Sequence, residues 1–246
     1  MVKVFLKKAF WNHYDHLGSL IPLNLLWMGV GLPWAFLGGG LILAGGRAWA
    51  QGKAGGIVGI LAGLDLLWVS PPTTALFHVV RRYVAYKPEG IKGWFGAFRR
   101  YFWKAQALGI TAALGTGIMG LGVEVYLKWG VVGMLLAGVL LWTLLLWNTA
   151  ALFLPALMAF RDPSFVDSLR GSIALVGGHP KFSLPFSVAV LLWSALTGMT
   201  GIGLVILGPA SASVWVATAF RELTDPEASP AEEPRGWQDI IRPWEG

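Results

Sequence analysis

This chain contains apolar runs that are long enough to cross the hydrocarbon layer of a bilayer as helices. These runs restrict its fold more than any other feature. About 20 helical residues cross roughly 30 Å of hydrocarbon, and several runs exceed that length. Backbone groups in lipid must bond within the chain, so only helices and closed barrels span a membrane. Barrel strands are segments of about ten residues with alternating polarity, whereas these runs are continuously apolar. The sequence therefore predicts an all-α, polytopic helical membrane protein.

The composition supports that class and excludes several kinds of site. Hydrophobic residues make up 55% of the 246 residues and charged residues only 13%, which is unlike an ordinary soluble domain. Cysteine is absent, so the chain has no disulfide framework, thiolate metal site or cysteine nucleophile. The basic N-terminus is not followed by a short apolar core and a small-residue cleavage site. We therefore expect no removable signal peptide.

The apolar runs divide into six predicted spans, arranged as three hairpins. Their approximate bounds are 17–44, 54–80, 105–126, 131–160, 182–200 and 202–220. The last two spans belong to one run that is too long for a single crossing, and Gly198, Gly201 and Gly203 offer a turn within it. Residues 1–221 then form one transmembrane domain, and residues 222–246 form a cytoplasmic tail rich in Pro and Glu. Five spans are the alternative, which would place the tail on the opposite side.

The distribution of cations predicts the orientation. Of the 19 Lys and Arg residues, all but three lie in 1–16, 81–104, 161–181 and the segment from 221 onwards. With six spans these segments share one side, and the excess of cations in cytoplasmic loops places both termini in the cytoplasm. Loop charge of this kind also explains the sequence pI of about 9.7 without any nucleic-acid partner.

A weak internal repeat supports the count of six. The segment Pro72-Thr73-Thr74-Ala75 resembles Pro209-Ala210-Ser211-Ala212, and each precedes the cationic end of a predicted span. Small and hydroxyl residues are also common in packed spans, so chance is the alternative explanation.

Residues 81–104 are the largest predicted loop and contain an amphipathic helix. At about 100° per residue, one arc carries the apolar side chains Ile91, Trp94, Phe95, Phe98, Tyr101 and Phe102. The cations that point elsewhere are Lys92, Arg99, Arg100 and Lys104. We expect this helix to lie in the plane of the cytoplasmic membrane surface, with its rings in the acyl boundary and its cations toward anionic headgroups. Residues 1–16 are expected to form a shorter anchor at the same surface.

The tail ends in a short basic segment that contains Trp237 and Trp244. We expect this segment to dock on the bilayer or on the cytoplasmic face of the protein itself. A partner-binding motif is the alternative.

Asp65 is the only acidic residue deep in a predicted span. A charged aspartate at the centre of a membrane costs roughly 2.5–3.5 kcal/mol on insertion scales, so it must face the bundle, be protonated or have a partner. Counting depth from the cytoplasmic ends of the spans indicates Asn148 as its nearest strong polar neighbour, with Thr197 and Thr200 as alternatives. Asp65 joins helices through a hydrogen bond or forms a proton- or cation-linked transport site; a position near the outer interface is the third alternative.

Pro71 and Pro72 interrupt the second span. Proline lacks an N–H donor and disfavours helix at the preceding residue, so we expect a kink or break there. Asn24 of the first span lies at the same predicted depth as Thr73 and Thr74, and it could satisfy the carbonyls that the break frees. This second polar layer either packs the helices together or lines a substrate or ion site at the broken helix.

The sequence contains no recognisable catalytic or metal-binding pattern. Paired carboxylates, a nucleophile elbow, a phosphate-cradling Gly-Lys motif and a zinc-protease motif are all missing. His13 and His16 have the spacing to chelate a metal on a helix, but the sequence offers no further ligands near them. We therefore expect no cofactor, no metal and no enzymatic activity.

Four segments carry a resemblance to a known family. They are Leu23-Asn24-Leu25-Leu26-Trp27, Leu32-Pro33, Pro72-Thr73-Thr74-Ala75-Leu76 and Phe95-Gly96-Ala97-Phe98, which lie within about residues 15–110. In these segments the chain resembles the YesL-like family of bacterial membrane proteins, a domain whose biochemical role is unknown. The resemblance implies an integral protein of the bacterial inner membrane, often linked to carbohydrate uptake or utilisation, with no assigned catalytic residues.

Two functional hypotheses follow from these observations. The first is a non-enzymatic accessory, assembly or regulatory partner of a solute importer, whose contact surfaces are the basic amphipathic helix and the tail. The second is a small transporter or channel that uses Asp65 and the break at Pro71 and Pro72. The partners expected are the lipid bilayer and a membrane protein such as an importer subunit.

Overall fold

The structure is a computed structural model that describes residues 2–53, 55–84, 90–200, 203 and 208–224. Helices are the only regular elements in this part of the chain. They are α1 (Val2–Asp15), α2 (Leu17–Val30), α3 (Leu32–Ala50), α4 (Gly55–Trp68), α5 (Pro71–Val84), α6 (Ile91–Tyr126), α7 (Gly130–Arg161), α8 (Phe165–Gly178), α9 (Pro180–Met199) and α10 (Pro209–Thr224). The all-α prediction is therefore confirmed.

Three helices are long and apolar enough to cross a membrane, which makes this a membrane protein. They are α6, α7 and the segment Pro180–Thr197 of α9. Two bent helix pairs have the same property when each is taken as one span: α2 with α3, bent by 75°, and α4 with α5, bent by 53°. The described residues thus provide three to five candidate spans. The predicted sixth span, 202–220, corresponds to α10 only from Pro209 onwards, and residues 201, 202 and 204–207 lie outside the described residues.

The boundary predicted between an in-plane helix and the third span does not exist at residue 104. α5 continues to Val84, and α6 is uninterrupted from Ile91 to Tyr126. No proline occurs within α6, and an isolated glycine costs a helix only about 1 kcal/mol, so nothing in the sequence ends the helix there. Residues 91–104 are consequently the first turns of a helix about 54 Å long, and the prediction of a separate in-plane helix is wrong for them.

α3 and α4 form a hairpin whose backbones approach each other through glycines. A Cβ added to Gly45 would lie 2.5 Å from the carbonyl oxygen of Gly56, and one added to Gly63 would lie 2.5 Å from that of Gly38. Backbone atoms therefore fill the space that a side chain would need. Close contact of this kind supplies dispersion energy that the hydrophobic effect does not supply between helices in lipid.

The hydrophobic core lies around α5, the second half of α7, and α10. These three helices carry large side chains that are fully buried, including Phe77, Phe153 and Phe220. α1 packs on α10: Trp11 and Asn12 are buried, and the Asn12 side-chain amide donates to the Thr218 hydroxyl at 3.3 Å. The prediction that residues 1–16 are only a surface anchor is thus wrong for the described side chains of α1.

Arginines join the ends of the three core helices. Arg81 of α5 donates to the carbonyl of Ala159 in α7, and Arg221 of α10 donates to the carbonyl of Val84 in α5 at 2.6 Å. Arg161 of α7 lies over the ring of Phe220 in α10, 6.0 Å from its centroid. The last carbonyls of a helix lack intrahelical partners and carry partial negative charge, so a guanidinium is well placed there. The ends of α5, α7 and α10 therefore lie together at one end of the molecule.

Candidate functional site: a buried polar layer

A chain of hydrogen bonds connects three helices at the depth of Asp65. Asp65 of α4 is only 5% exposed. The hydroxyl of Thr116 in α6 donates to Asp65 Oδ2 at 2.6 Å, and the side-chain amide of Asn148 in α7 lies 3.3 Å from the Thr116 oxygen, to which it donates. The sequence indicated Asn148 as the neighbour of Asp65, and the structure places Thr116 between them.

Depth counting selected Asn148, with Thr197 and Thr200 as alternatives, and missed Thr116. Thr116 is a fully buried hydroxyl residue within an apolar stretch of α6, and that rarity was its only signal in the sequence. The two other threonines weighed as partners bond within their own segment instead. Thr197 donates to the carbonyl of Trp193 at 3.0 Å, and Thr200 to that of Thr197 at 3.4 Å.

Local hydroxyl groups bond to one of the two carbonyls that the break between α4 and α5 frees. Pro71 and Pro72 have no N–H to donate to the carbonyls four residues earlier, those of Leu67 and Trp68. The hydroxyl of Ser70 donates to the Leu67 carbonyl at 2.8 Å, and that of Thr73 lies 3.1 Å from the same oxygen. The break expected at the two prolines is present as a 53° bend.

Thr73 also fastens α2 to the break. The indole N–H of Trp27 donates to the Thr73 hydroxyl at 2.9 Å. Thr74, the next residue, is completely buried, and its hydroxyl has no hydrogen-bond partner among the described residues. Of the two threonines selected from the sequence, Thr73 therefore has a defined role in joining helices.

Asn24 contacts the start of α10 through its side-chain oxygen. The backbone N–H of Ala210 donates to Asn24 Oδ1 at 2.8 Å, and Asn24 is fully buried. Helix N-termini have N–H groups without intrahelical partners, so Asn24 caps α10 from a different helix. Its side-chain oxygen thus serves the repeat-related segment that begins at Pro209. The contact of Asn24 with the carbonyls freed at Pro71 and Pro72 stays a prediction.

The aromatic face predicted to enter lipid is largely inside the protein. Trp94 is 0% exposed and stacks on Phe98, with ring centroids 5.3 Å apart. The rings of Phe98 and Phe102 both pack against Trp34 of α3, at 6.3 and 6.0 Å. The assignment of Trp94, Phe98 and Phe102 to a lipid or partner surface is therefore corrected, because α6 packs against neighbours that a helix taken alone does not reveal.

One side of α6 does remain exposed over its whole length, and we call it the outer ridge of α6. Its members are Lys92, Phe95, Arg99, Trp103, Ile110, Leu114, Ile118 and Leu121. Phe95 is 50% exposed and Trp103 is 80% exposed. Phe95 and Arg99 thus keep the surface position predicted for them, whereas Trp103 was not selected from the sequence. Trp237 and Trp244 lie outside the described residues.

Asp162 organises a cationic corner where α7 ends. Arg100 donates to Asp162 Oδ2 at 2.5 Å, and the ammonium of Lys104 lies 3.2 Å from Oδ1. Burial raises the pKa of Asp162, but the hydrogen bonds from Arg100 and Lys104 outweigh this effect and hold the pKa below its ordinary value. The N-terminus of α8 follows at once, with Ser164 accepting from the Asp167 N–H at 3.2 Å.

Acidification is expected to remove the stabilising effect of Asp162. Because its folded-state pKa is lowered, ionised Asp162 stabilises the protein above its unfolded-state pKa, and this contribution is lost as pH falls through the folded-state value. We expect the apparent Tm in detergent to fall more steeply below about pH 4 in the wild type than in Asp162→Asn. Parallel pH curves for the two proteins would contradict this assignment.

The chemistry available to the polar layer is limited. A single carboxyl group can bind or release one proton, and Thr116 and Asn148 can orient it by hydrogen bonding. Within the described residues, no group of three or more His, Asp or Glu side chains is arranged to hold a metal ion. The layer thus links α4, α6 and α7 around one titratable group.

The comparisons with known proteins match a segment that contains part of this layer. No curated protein and no solved structure matches the chain. Asp65, the break at Pro71 and Thr116 all fall between residues 20 and 123. Those residues, 20–123, match a family described as "Protein of unknown function, DUF624".

Proposed function

We propose that this protein is a non-enzymatic accessory, assembly or regulatory partner of a solute uptake system in the bacterial inner membrane. The proposal rests on the observation that the intramembrane polar groups form hydrogen bonds within the protein. Asp65 accepts from Thr116, and the hydroxyls at the break serve the Leu67 carbonyl. Polar groups that bond to other parts of the same bundle hold helices together, which favours a structural role over a transport path. Carbohydrate as the solute rests on the resemblance to the YesL-like family.

The contact surface for a partner lies at the start of α6 and in the tail. Ile91 and Phe95 are about half exposed, and Lys92 is exposed beside them. Aromatic residues and arginine are enriched in protein interfaces, and Phe95 lies one helical turn from the exposed Arg99. The described part of the chain supports this end of the outer ridge as a docking surface, and Trp237 and Trp244 extend the proposal to the tail.

We also propose six crossings in three hairpins, with both termini in the cytoplasm. The proximity of the Arg-bearing ends of α5, α7 and α10 supports a common side for them. The packing of α1 on α10 supports the same side for the two terminal helices. Because the chain has no cysteine, single cysteines can be introduced at Lys92 and at Lys128 and labelled from outside intact cells. We expect Lys128→Cys to be labelled and Lys92→Cys to be protected. Labelling of Lys92→Cys from the outside would contradict this orientation.

Partner capture tests the accessory role. We expect affinity purification of the full chain in mild detergent to recover a stable membrane-protein partner, such as an importer subunit. A photo-crosslinking residue at Phe95 should capture this partner, whereas the same residue at Ile118, on the aliphatic part of the outer ridge, should not. Recovery of the chain alone in several detergents, without crosslinks at Phe95, would contradict the proposal.

A small transporter or channel is the second candidate, favoured by the position of Asp65 next to a broken helix. Intramembrane carboxyl groups and discontinuous helices line ion and substrate sites in transporters. Proteoliposomes that contain only this chain distinguish the two functions. The accessory proposal expects no solute or proton movement, whereas uptake that is lost in Asp65→Asn would favour the transporter. Thr116 can donate to an asparagine oxygen as well, so this variant should retain the fold.

A further inference from the structure

The outer ridge of α6 changes its chemistry in order along the helix. Toward the C-terminal end it is purely aliphatic, with Ile110, Leu114, Ile118 and Leu121 exposed. Trp103 follows at 80% exposure. Arg99, Phe95 and Lys92 occupy the next exposed positions of the ridge toward the N-terminus, so the first cation lies one turn beyond Trp103. This is the order of chemistry met on passing from hydrocarbon through the interface to water.

The length of the aliphatic part matches one bilayer. Trp103 and Val125 are separated by about 33 Å along the helix axis, and the hydrocarbon core of a bilayer is about 30 Å thick. At the far end, Trp129 is exposed and its ring packs edge-on against Tyr126, with centroids 5.1 Å apart. Aromatic residues at both ends define the two interfaces, so the turns of α6 before Trp103 project beyond the hydrocarbon.

Arg99 lies at the depth of lipid headgroups. It is one helical turn beyond Trp103, about 6 Å, and each headgroup layer is about 5–8 Å thick. Arg99 makes no ion pair with any described residue, whereas Arg100 and Lys104 beside it both bind Asp162. Three cations against one carboxylate leave this level of the surface positively charged.

We propose that Arg99 and Trp103 bind the headgroup of an anionic phospholipid in the adjacent leaflet. The guanidinium of Arg99 presents paired N–H donors that match the oxygens of a phosphate. The indole of Trp103 places its apolar body against the first acyl carbons and its N–H toward the headgroup. The excess positive charge selects anionic over zwitterionic lipid. Lys92 lies about 16 Å beyond Trp103, which is outside the headgroup layer.

Local lipid composition can be measured with a single fluorophore. Ala107 is exposed one turn to the hydrocarbon side of Trp103, and the absence of native cysteine makes Ala107→Cys a unique labelling site. The bimane-labelled full chain is placed in vesicles that contain phosphatidylglycerol and phosphatidylcholine, of which one or the other carries brominated acyl chains. We expect quenching to report a preference of about fivefold for phosphatidylglycerol.

Two charge-neutralising variants separate a local site from general attraction. Arg99→Gln should reduce the preference for phosphatidylglycerol to about one. Lys92→Gln, with the same charge change on the same ridge, should leave the preference intact. Equal losses in both variants, or no preference in the wild type, would overturn the proposal. Weak quenching by both lipids would also overturn it, because protein rather than lipid would then cover the ridge. Far-UV circular dichroism and size-exclusion chromatography check that each variant is folded.

Discussion

Gly45→Leu is expected to disrupt the α3–α4 hairpin and to give the largest loss of stability of any substitution considered for this protein. A Cβ at this position would lie 2.5 Å from the carbonyl oxygen of Gly56 and 2.7 Å from the backbone nitrogen of Ile60. Both are backbone atoms of α4, so they cannot move without separating the two helices. Overpacking typically costs about 1–3 kcal/mol, and a backbone clash should cost at least the upper value. The apparent Tm in detergent should fall by about 10 °C.

Gly46→Leu is the matched control, because it adds the same side chain to the next residue of α3. A Cβ on Gly46 would meet no atom within 4 Å, and leucine is a better helix former than glycine. We expect Gly46→Leu to be neutral or slightly stabilising. Equal losses for the two variants would show that leucine harms α3 in general, and would contradict the close approach of the two backbones at Gly45.

Thr116→Val is expected to have the second largest effect, because it removes the hydrogen bond that serves Asp65. An average interhelical hydrogen bond in a membrane protein contributes only about 0.6 kcal/mol. The hydrogen bond from Thr116 should contribute more than this, because Asp65 is only 5% exposed and Thr116 is the one described donor to its carboxyl group. A buried polar group without a partner costs about 1–3 kcal/mol. The apparent Tm should therefore fall by several degrees.

A second substitution tests whether this loss passes through Asp65. Asp65→Leu in the Thr116→Val background removes the unpaired carboxyl group and should recover part of the lost stability. Thr111→Val is the control on α6, because the exposed Thr111 bonds only the carbonyl of Ala107 in its own helix. Additive effects of the Asp65 and Thr116 substitutions would contradict a direct link between the two side chains.

Local chemistry made several features predictable. Proline lacks a backbone N–H donor in any context, so the break at Pro71 and Pro72 could be located from these two residues alone. The start of α8 is likewise set by a neighbouring residue, because Ser164 forms its N-terminal cap. Asp65 was expected to face the bundle, be protonated or have a partner, because an aspartate in lipid is costly. Each of these inferences depends on neighbouring residues in the chain or on the surrounding solvent.

Other features depend on which helices meet and could not be predicted from one sequence. The aromatic side of α6 was assigned to lipid, yet Trp94 lies in the protein interior because α6 packs against α3, α4, α5 and α7. The contact between the Asn24 side-chain oxygen and the backbone N–H of Ala210 was not predicted, because the two residues are distant in the sequence. Thr116 was missed because its importance comes entirely from Asp65 and Asn148.

By itself, the sequence determined that this chain is helical, lies in a membrane and breaks one helix at two prolines, because these properties follow from apolar length and backbone donors. Only the tertiary structure decided which polar groups pair and which rings face lipid. A helix surface of aromatic and small residues packs equally well against lipid or against another helix, so the choice between them depends on contacts distant in the chain.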